Sequence, residues 1–144
     1  MRPPDNRGEQ RATLARRAVS LLYEALLLTA LVLAGSLPLV MLTHEMGDGL
    51  ARLLLQLHLV VLAGAYFAWQ WRRGGQTLAM KTWRLRVVTR EGAPLTWRHA
   101  LKRYGYAFAG TLAFGTGFLW ALADRDGQFL HDRLAGTMII RTED

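Results

Sequence analysis

The chain alternates between long apolar stretches and polar segments, and this alternation predicts its architecture. Three apolar blocks occupy residues 18–43, 53–71 and 104–123. The first block has no charged residue between positions 25 and 43, where Leu, Val and Ala dominate. About 20 mostly apolar helical residues are needed to cross a bilayer core of ~30 Å. The pattern therefore predicts helical membrane segments.

One charged residue, Glu24, lies in the first half of the first block, and Arg17 precedes it by seven residues. A carboxylate in a membrane segment is costly, so it is usually paired, neutralised or functional. Because helical side chains lean towards the N-terminus, we expect Arg17 to lean away from Glu24 and to extend towards the headgroups. The candidate ion-pair partners of Glu24 are then Lys102, Arg103 and Arg133. The alternative is that Glu24 is a proton or cation site in a pathway.

Positive charge marks one side of the predicted membrane. Five arginines precede Ala18, whereas the loop 44–49 contains neither Lys nor Arg. Lys and Arg accumulate on the cytoplasmic side, so we predict that residues 1–17 form a cytoplasmic tail. The loop 72–103 is the most basic part of the chain, and its predicted lipid-facing residues are Arg72, Arg73, Arg84 and Arg86. Its charge indicates either the binding of anionic headgroups or the positive-inside rule alone.

Two short segments outside the apolar blocks are strand candidates. Apolar and basic residues alternate through positions 83–88, and a second short apolar run occupies positions 137–140. A lone strand leaves its backbone groups unpaired, so we predict that residues 85–89 pair with residues 138–141. Between them, Thr96 is expected to cap an interfacial helix that precedes the third block.

The third block, residues 104–123, permits two interpretations. Its small residues Ala109, Ala113 and Gly117 stand four apart, a spacing that allows helices to approach closely. Its glycines also weaken a helix, so the block either spans the membrane or returns as a re-entrant hairpin. Pairing of the two strands requires both on one side. We therefore expect a short or re-entrant third segment and a cytoplasmic tail over residues 124–144.

Three motifs in this order resemble those of the RDD family of small bacterial membrane proteins. They are GQTLAMKTWRLRVV at 75–88, GFLWALAD at 117–124 and HDRLAGT at 131–137. The resemblance places the signature arginine and second aspartate at Arg17 and Asp132, with Glu24 where the first aspartate is expected. Ala79 stands where the family often has glycine. The resemblance implies an integral protein of the bacterial inner membrane, for which ion or solute transport has been proposed.

Asp132 has two compatible interpretations, and other chemistry is not indicated. Asp132 either accepts from a basic group of the loop 72–103 or caps a short helical turn. The chain has no cysteine, no histidine pair with metal-ligand spacing and no nucleophile–base pattern. We therefore predict no enzyme activity, no metal and no cofactor. His58, at membrane depth, is expected to form a hydrogen bond between helices.

The net charge of +7 would suggest nucleic acid as the partner of a soluble protein. Here the charges flank the apolar blocks, so the predicted partner is a bilayer with anionic headgroups and not nucleic acid. We predict an all-α membrane protein with three apolar helical segments and a small two-stranded cytoplasmic cap. Residues 18–144 form a single membrane domain. The predicted function is transport of a small cation or solute by a homo-oligomer, and the alternative is an accessory or assembly protein whose basic loop docks a partner or lipid.

Overall fold

The computed structural model describes residues 12–125 and 127–142. Its elements follow in the order α1 (Leu14–Thr43), α2 (Asp48–Gly74), α3 (Leu78–Thr82), β1 (Leu85–Thr89), α4 (Trp97–Leu112), α5 (Thr116–Ala123), α6 (Leu130–Ala135) and β2 (Thr137–Arg141). The predicted fold class is confirmed, since the chain is mostly helical with a small two-stranded sheet. Helices α1 and α2 begin four and five residues before the apolar blocks that predicted them.

Helices α1 and α2 are long and apolar enough to cross a membrane. They pack against each other where Gly35 meets Leu62, and a Cβ on Gly35 would lie 2.9 Å from Leu62 Cδ2. At the same level the Nε2 atom of His58 hydrogen-bonds to the carbonyl oxygen of Gly35 at 3.1 Å. This contact confirms His58 as a helix-to-helix hydrogen-bonding residue. Much of the remaining apolar surface of α1 points outwards, as a lipid-facing helix requires.

The third apolar block is bent and is not a straight helix. Helices α4 and α5 meet at an angle of 96°. The break lies at Phe114 and Gly115, whose φ angles of 61° and 73° are in the left-handed region that ends a helix. Across the bend, a Cβ on Gly110 would lie 3.2 Å from the Cα of Gly117. The small residues therefore close a bend, and the predicted row of Ala109, Ala113 and Gly117 along one helix face is wrong.

The interfacial helix and the beginning of the third block are one element, α4. Thr96 caps it as predicted: its side chain accepts from the backbone N–H of His99, and the His99 side chain accepts from the backbone N–H of Thr96. The helix then continues without interruption through Tyr104, whose hydroxyl donates to the carbonyl oxygen of Val60 at 2.8 Å. The start of the apolar block at residue 104 therefore lies inside one continuous helix, and Tyr104 joins α4 to α2 by this hydrogen bond.

The two strands pair as predicted. Strands β1 and β2 are antiparallel, with Leu85 opposite Arg141 and Thr89 opposite Thr137. Gly75 supports β1 from the end of α2, because its carbonyl oxygen accepts from the N–H of Val87 at 2.7 Å. Gly75 has φ 67°, and a Cβ there would lie 2.5 Å from the carbonyl oxygen of Val87. Only glycine fits at this first position of the GQT motif.

Candidate functional site

A cavity of about 460 Å³ lies among α1, α2 and α4 and reaches the short elements at one end. Most of its wall is apolar and includes Leu21, Leu28, Val60, Ala63, Phe67 and Phe108. Its polar groups include Arg17, Ser20, Glu24, Thr77, Arg103 and His131. Two of the three signature residues, Arg17 and Glu24, thus line the cavity, and the third, Asp132, contacts Arg103 behind it.

Glu24 is buried in α1, with 6% of its surface exposed. Its Oε2 atom accepts a hydrogen bond from the hydroxyl of Thr77. Thr77 is itself fixed, because it caps α3 and accepts from the backbone N–H of Met80 at 3.2 Å. The other carboxylate oxygen, Oε1, is buried without a hydrogen-bond partner in the described part of the chain. The site therefore holds a carboxylate that is half satisfied by a neutral donor.

The predicted ion-pair partners of Glu24 are engaged elsewhere or exposed. Arg103 pairs with Asp132, and Arg133 pairs with Asp124. The side chain of Lys102 is exposed. No ion pair within residues 12–125 and 127–142 includes Glu24. The predicted pairing is therefore corrected, because α4 packs closely against α6 and Arg103 pairs there with Asp132.

Asp132 is completely buried in the first turn of α6, where its carboxylate contacts Arg103 Nη1. Arg103 also donates to the hydroxyl of Thr137 at 3.1 Å, and its guanidinium lies 4.8 Å from the centre of the Trp71 ring. The first interpretation of Asp132, as acceptor from a basic group of the loop 72–103, therefore describes its contact. The capping interpretation does not, since the α6 cap residue, Phe129, has no side-chain cap bond.

Arg17 does not extend towards the headgroups as predicted, because it is folded inwards with 4% of its surface exposed. Its guanidinium carbon lies 5.4 Å from the centre of the Phe129 ring. Its Nη2 atom fills the space beside Gly127, where a Cβ would come within 3.1 Å. Arg17 and Glu24 form no direct ion pair, as the helical geometry predicted. The segment that precedes α6 therefore covers this arginine.

His131 joins the same group of side chains, and sequence reasoning did not select it. Its ring stacks on Phe129 with the centres 5.3 Å apart and an interplanar angle of 18°. Burial, together with the positive charge of Arg103, lowers the pKa of His131 to about 2. The imidazole is therefore neutral at physiological pH. Thr77, Trp71 and Phe129 were also missed. Thr77 lies in the motif at 75–88 and His131 in the motif at 131–137, and membership of these motifs was the one feature of the sequence that could have identified them as site residues.

The basic loop residues lie outside this site. Arg72, Arg73, Arg84 and Arg86 are exposed, and none of them lines the cavity. The guanidinium of Arg73 lies 5.1 Å from the centre of the Trp69 ring. Within the described ranges, no group of three or more His, Cys, Asp or Glu residues has the arrangement of a metal site.

The model of the RDD family matches residues 11–136, which is most of the chain. The match includes Arg17, Glu24, the GQT motif and Asp132. Neither a curated protein nor a solved structure matches the sequence.

Proposed function

The chain belongs to the RDD family, and on that premise we propose that it transports a small cation or a cation-coupled solute across the bacterial inner membrane. The observation that carries the proposal is the state of Glu24. A buried carboxylate normally has a cationic partner, because an isolated charge in a membrane is expensive. Glu24 has two neutral neighbours, the Thr77 hydroxyl and the side chain of Tyr66, and its Oε1 atom, in the wall of the cavity, is buried without a hydrogen-bond partner. Such a group is suited to binding and releasing a proton or cation.

The positions of the cationic residues support a cytoplasmic location for the sheet and the N-terminus. Arg72 and Arg73 lie in the last turn of α2, on the side of the sheet, and Arg84 and Arg86 are exposed, the first just before β1 and the second within it. The opposite turn, between α1 and α2, contains Glu45 and no Lys or Arg. The positive-inside rule assigns the basic side to the cytoplasm.

An oligomer is part of the proposal, since two long helices and one bent segment enclose little polar volume. The exposed leucines of α1, among them Leu22, Leu26 and Leu33, leave more than 60% of each residue uncovered. A second copy on this face would cover apolar surface and enclose a pathway between subunits. The mass of the protein in native lipid discs tests this part of the proposal.

Flux through proteoliposomes tests the assignment of Glu24. Purified protein is reconstituted with an internal pH dye, and proton movement is followed after a sodium or potassium gradient is applied. We expect Glu24→Gln to abolish flux and Glu24→Asp to retain it, because Asp keeps a carboxylate. Glu45→Gln is the matched control, since it makes the same chemical change at an exposed position. Unchanged flux in a folded Glu24→Gln protein would contradict the proposal.

A second candidate function is supported by the exposed arginines. Arg73 stacks over Trp69 at the end of α2, the arrangement of an aromatic and basic anchor at headgroup level. A non-transporting accessory protein would use Arg72, Arg73, Arg84 and Arg86 to dock a partner or anionic lipid. This alternative predicts that wild-type proteoliposomes show no flux. It also predicts that replacing the four arginines with Gln removes the preference for anionic lipid while Glu24→Gln does not.

A further inference from the structure

The cavity contains more buried hydrogen-bond donors without partners than acceptors. Within the described residues, these donors are the Nε atoms of Arg17 and Arg103 and the indole Nε1 of Trp71, and the Nδ1 atom of His131, which donates or accepts according to the tautomer, also has no partner. All four side chains line the cavity. The only carboxylate oxygen without a partner on the same wall is Glu24 Oε1. Buried N–H groups nearly always have an acceptor, so this set indicates an acceptor-rich ligand.

The donors are held in place by aromatic contacts that leave their N–H groups free. Arg103 lies over the Trp71 ring, and Trp71 in turn stacks on Phe67 with ring centres 5.1 Å apart. Arg17 lies over Phe129. Arg103 forms an ion pair with Asp132, whereas Arg17 forms no ion pair with Glu24. Two fixed guanidinium groups and an indole are a preorganised set of donors for an oxyanion.

The rest of the cavity favours a hydrocarbon chain. Leu21, Ala25 and Leu28 of α1 face Val60 and Ala63 of α2 along its wall. Arg17 lies near the beginning of α1, and Leu28 lies eleven residues further along the helix, about 16 Å deeper. The volume of about 460 Å³ falls within the range of pockets that bind small molecules. The donors thus stand at the end of the cavity near the sheet, and the apolar wall extends from there along α1 and α2.

We propose that this cavity binds an amphipathic oxyanion, with its carboxylate or phosphate head at Arg17, Arg103 and Trp71 and its alkyl chain against the apolar wall. A membrane phospholipid and a free alkyl anion share this chemistry. The N–H donors without partners select the oxyanion, and net charge does not, because Glu24, Asp124 and Asp132 already balance Arg17, Arg103 and Arg133. Binding does not depend on the transport proposed above, so it is measured without flux.

The first experiment compares ligands that differ in the charge of the polar head or lack the alkyl chain. Protein in phosphatidylcholine discs is titrated with dodecyl phosphate, with dodecylamine or with inorganic phosphate, and bound molecules are counted by native mass spectrometry. We expect dodecyl phosphate alone to saturate at one molecule per chain. Equal binding of dodecylamine would overturn the assignment of the head, and equal binding of inorganic phosphate would overturn that of the tail. No binding of any probe would overturn the site.

The second experiment uses variants of the donors. Arg17→Gln is expected to weaken binding of dodecyl phosphate by about tenfold, the effect of losing one charged hydrogen-bond donor. Trp71→Phe keeps an aromatic ring beside Arg103 and loses the N–H with part of the indole, so it is a second test that does not depend on the fold of the arginine variant, and it is also expected to weaken binding. Arg98→Gln, which removes an exposed charge of α4, is the matched control and should bind normally. Normal binding by both Arg17→Gln and Trp71→Phe would refute the proposal.

The third experiment separates the two ligand sources and tests the role of Glu24. Discs of phosphatidylglycerol are expected to yield a retained phospholipid that dodecyl phosphate displaces, if the source is the membrane. Retention of dodecyl phosphate without retained phospholipid assigns a free alkyl anion. Glu24→Gln is expected to bind as tightly as the wild type or more tightly, because it removes a negative charge from the wall. Loss of dodecyl phosphate binding by a folded Glu24→Gln protein would show that the carboxylate supports binding, and it would overturn the assignment of an anionic head.

Discussion

Glu24 and Asp132 are both buried carboxylates, and the contrast between their surroundings separates two kinds of buried charge. Asp132 faces Arg103, which is held in turn by Thr137 and by the ring of Trp71. Glu24 faces a hydroxyl and an open cavity. The first carboxylate has a cationic partner, and this ion pair joins α4 to α6. The second has neutral neighbours and no ion pair within residues 12–125 and 127–142, and this difference is the basis of its proposed role in binding a proton or cation.

The largest loss of stability is expected from a substitution at Asp132. Asp132→Asn leaves Arg103 buried without a counter-charge and is expected to cost about 3–5 kcal/mol of stability. The loss is measured as a lower unfolding midpoint in detergent, with Glu45→Gln as the control. The double variant Arg103→Met with Asp132→Leu removes both charges and should recover much of the loss. A stable single variant would show that the pair does not fix the packing.

A substitution at Gly75 is expected to cause the next largest loss of stability, because it disrupts the backbone contact between the end of α2 and β1. Gly75→Ala places a side chain at φ 67°, which costs roughly 1–2 kcal/mol, and drives it into the carbonyl oxygen of Val87. We expect a total loss of at least about 2 kcal/mol. Gly74→Ala is the matched control, since a Cβ at Gly74 meets nothing within 4 Å. Equal midpoints for the two variants would contradict the described contact between Gly75 and β1.

His131 predicts a dependence on pH in the same region. Its pKa is 6.5 in the unfolded chain and about 2 in the folded protein, so the unfolded state binds the additional proton between these values. The stability from the neutral ring is complete above pH 6.5 and falls as the pH drops, by up to about 1.4 kcal/mol per pH unit. Unfolding midpoints at several pH values below 6.5 should show a shallower slope in His131→Phe. Parallel slopes would mean that another group causes the loss.

The smallest effect on stability is expected at Glu24. Glu24→Gln keeps an oxygen that accepts from Thr77 and leaves no cation without its partner. The free energy of unfolding should therefore change by less than about 1 kcal/mol. The midpoint and the folded yield are measured beside those of Asp132→Asn. If both variants lose equal stability, the distinction between the two carboxylates fails. A normal midpoint together with lost flux would confirm it.

The sequence predicted the class of fold because membrane solvation acts on composition and length. Three apolar blocks at the scale of a bilayer and basic residues beside them are visible without any contact information. The pairing of β1 with β2 was also predictable, since two short candidates with unpaired backbone groups had few other partners. Glu24 and Arg17 were selected as charges in and before the first apolar block, the family resemblance added Asp132, and Arg103 was selected only as a cation available to Glu24.

The contacts of those residues were decided by tertiary structure. The sequence offered three cations for Glu24, but the packing of α4 against α6 gives Arg103 to Asp132, and the short helix α3 brings Thr77 to Glu24 instead. Hydroxyl groups are too common to signal such a contact. The bend at Phe114 and Gly115 likewise depends on the approach of Gly110 to Gly117 across it. Hydrophobic burial depends on which residues are present, whereas ion pairs, bends and cavities depend on which faces meet.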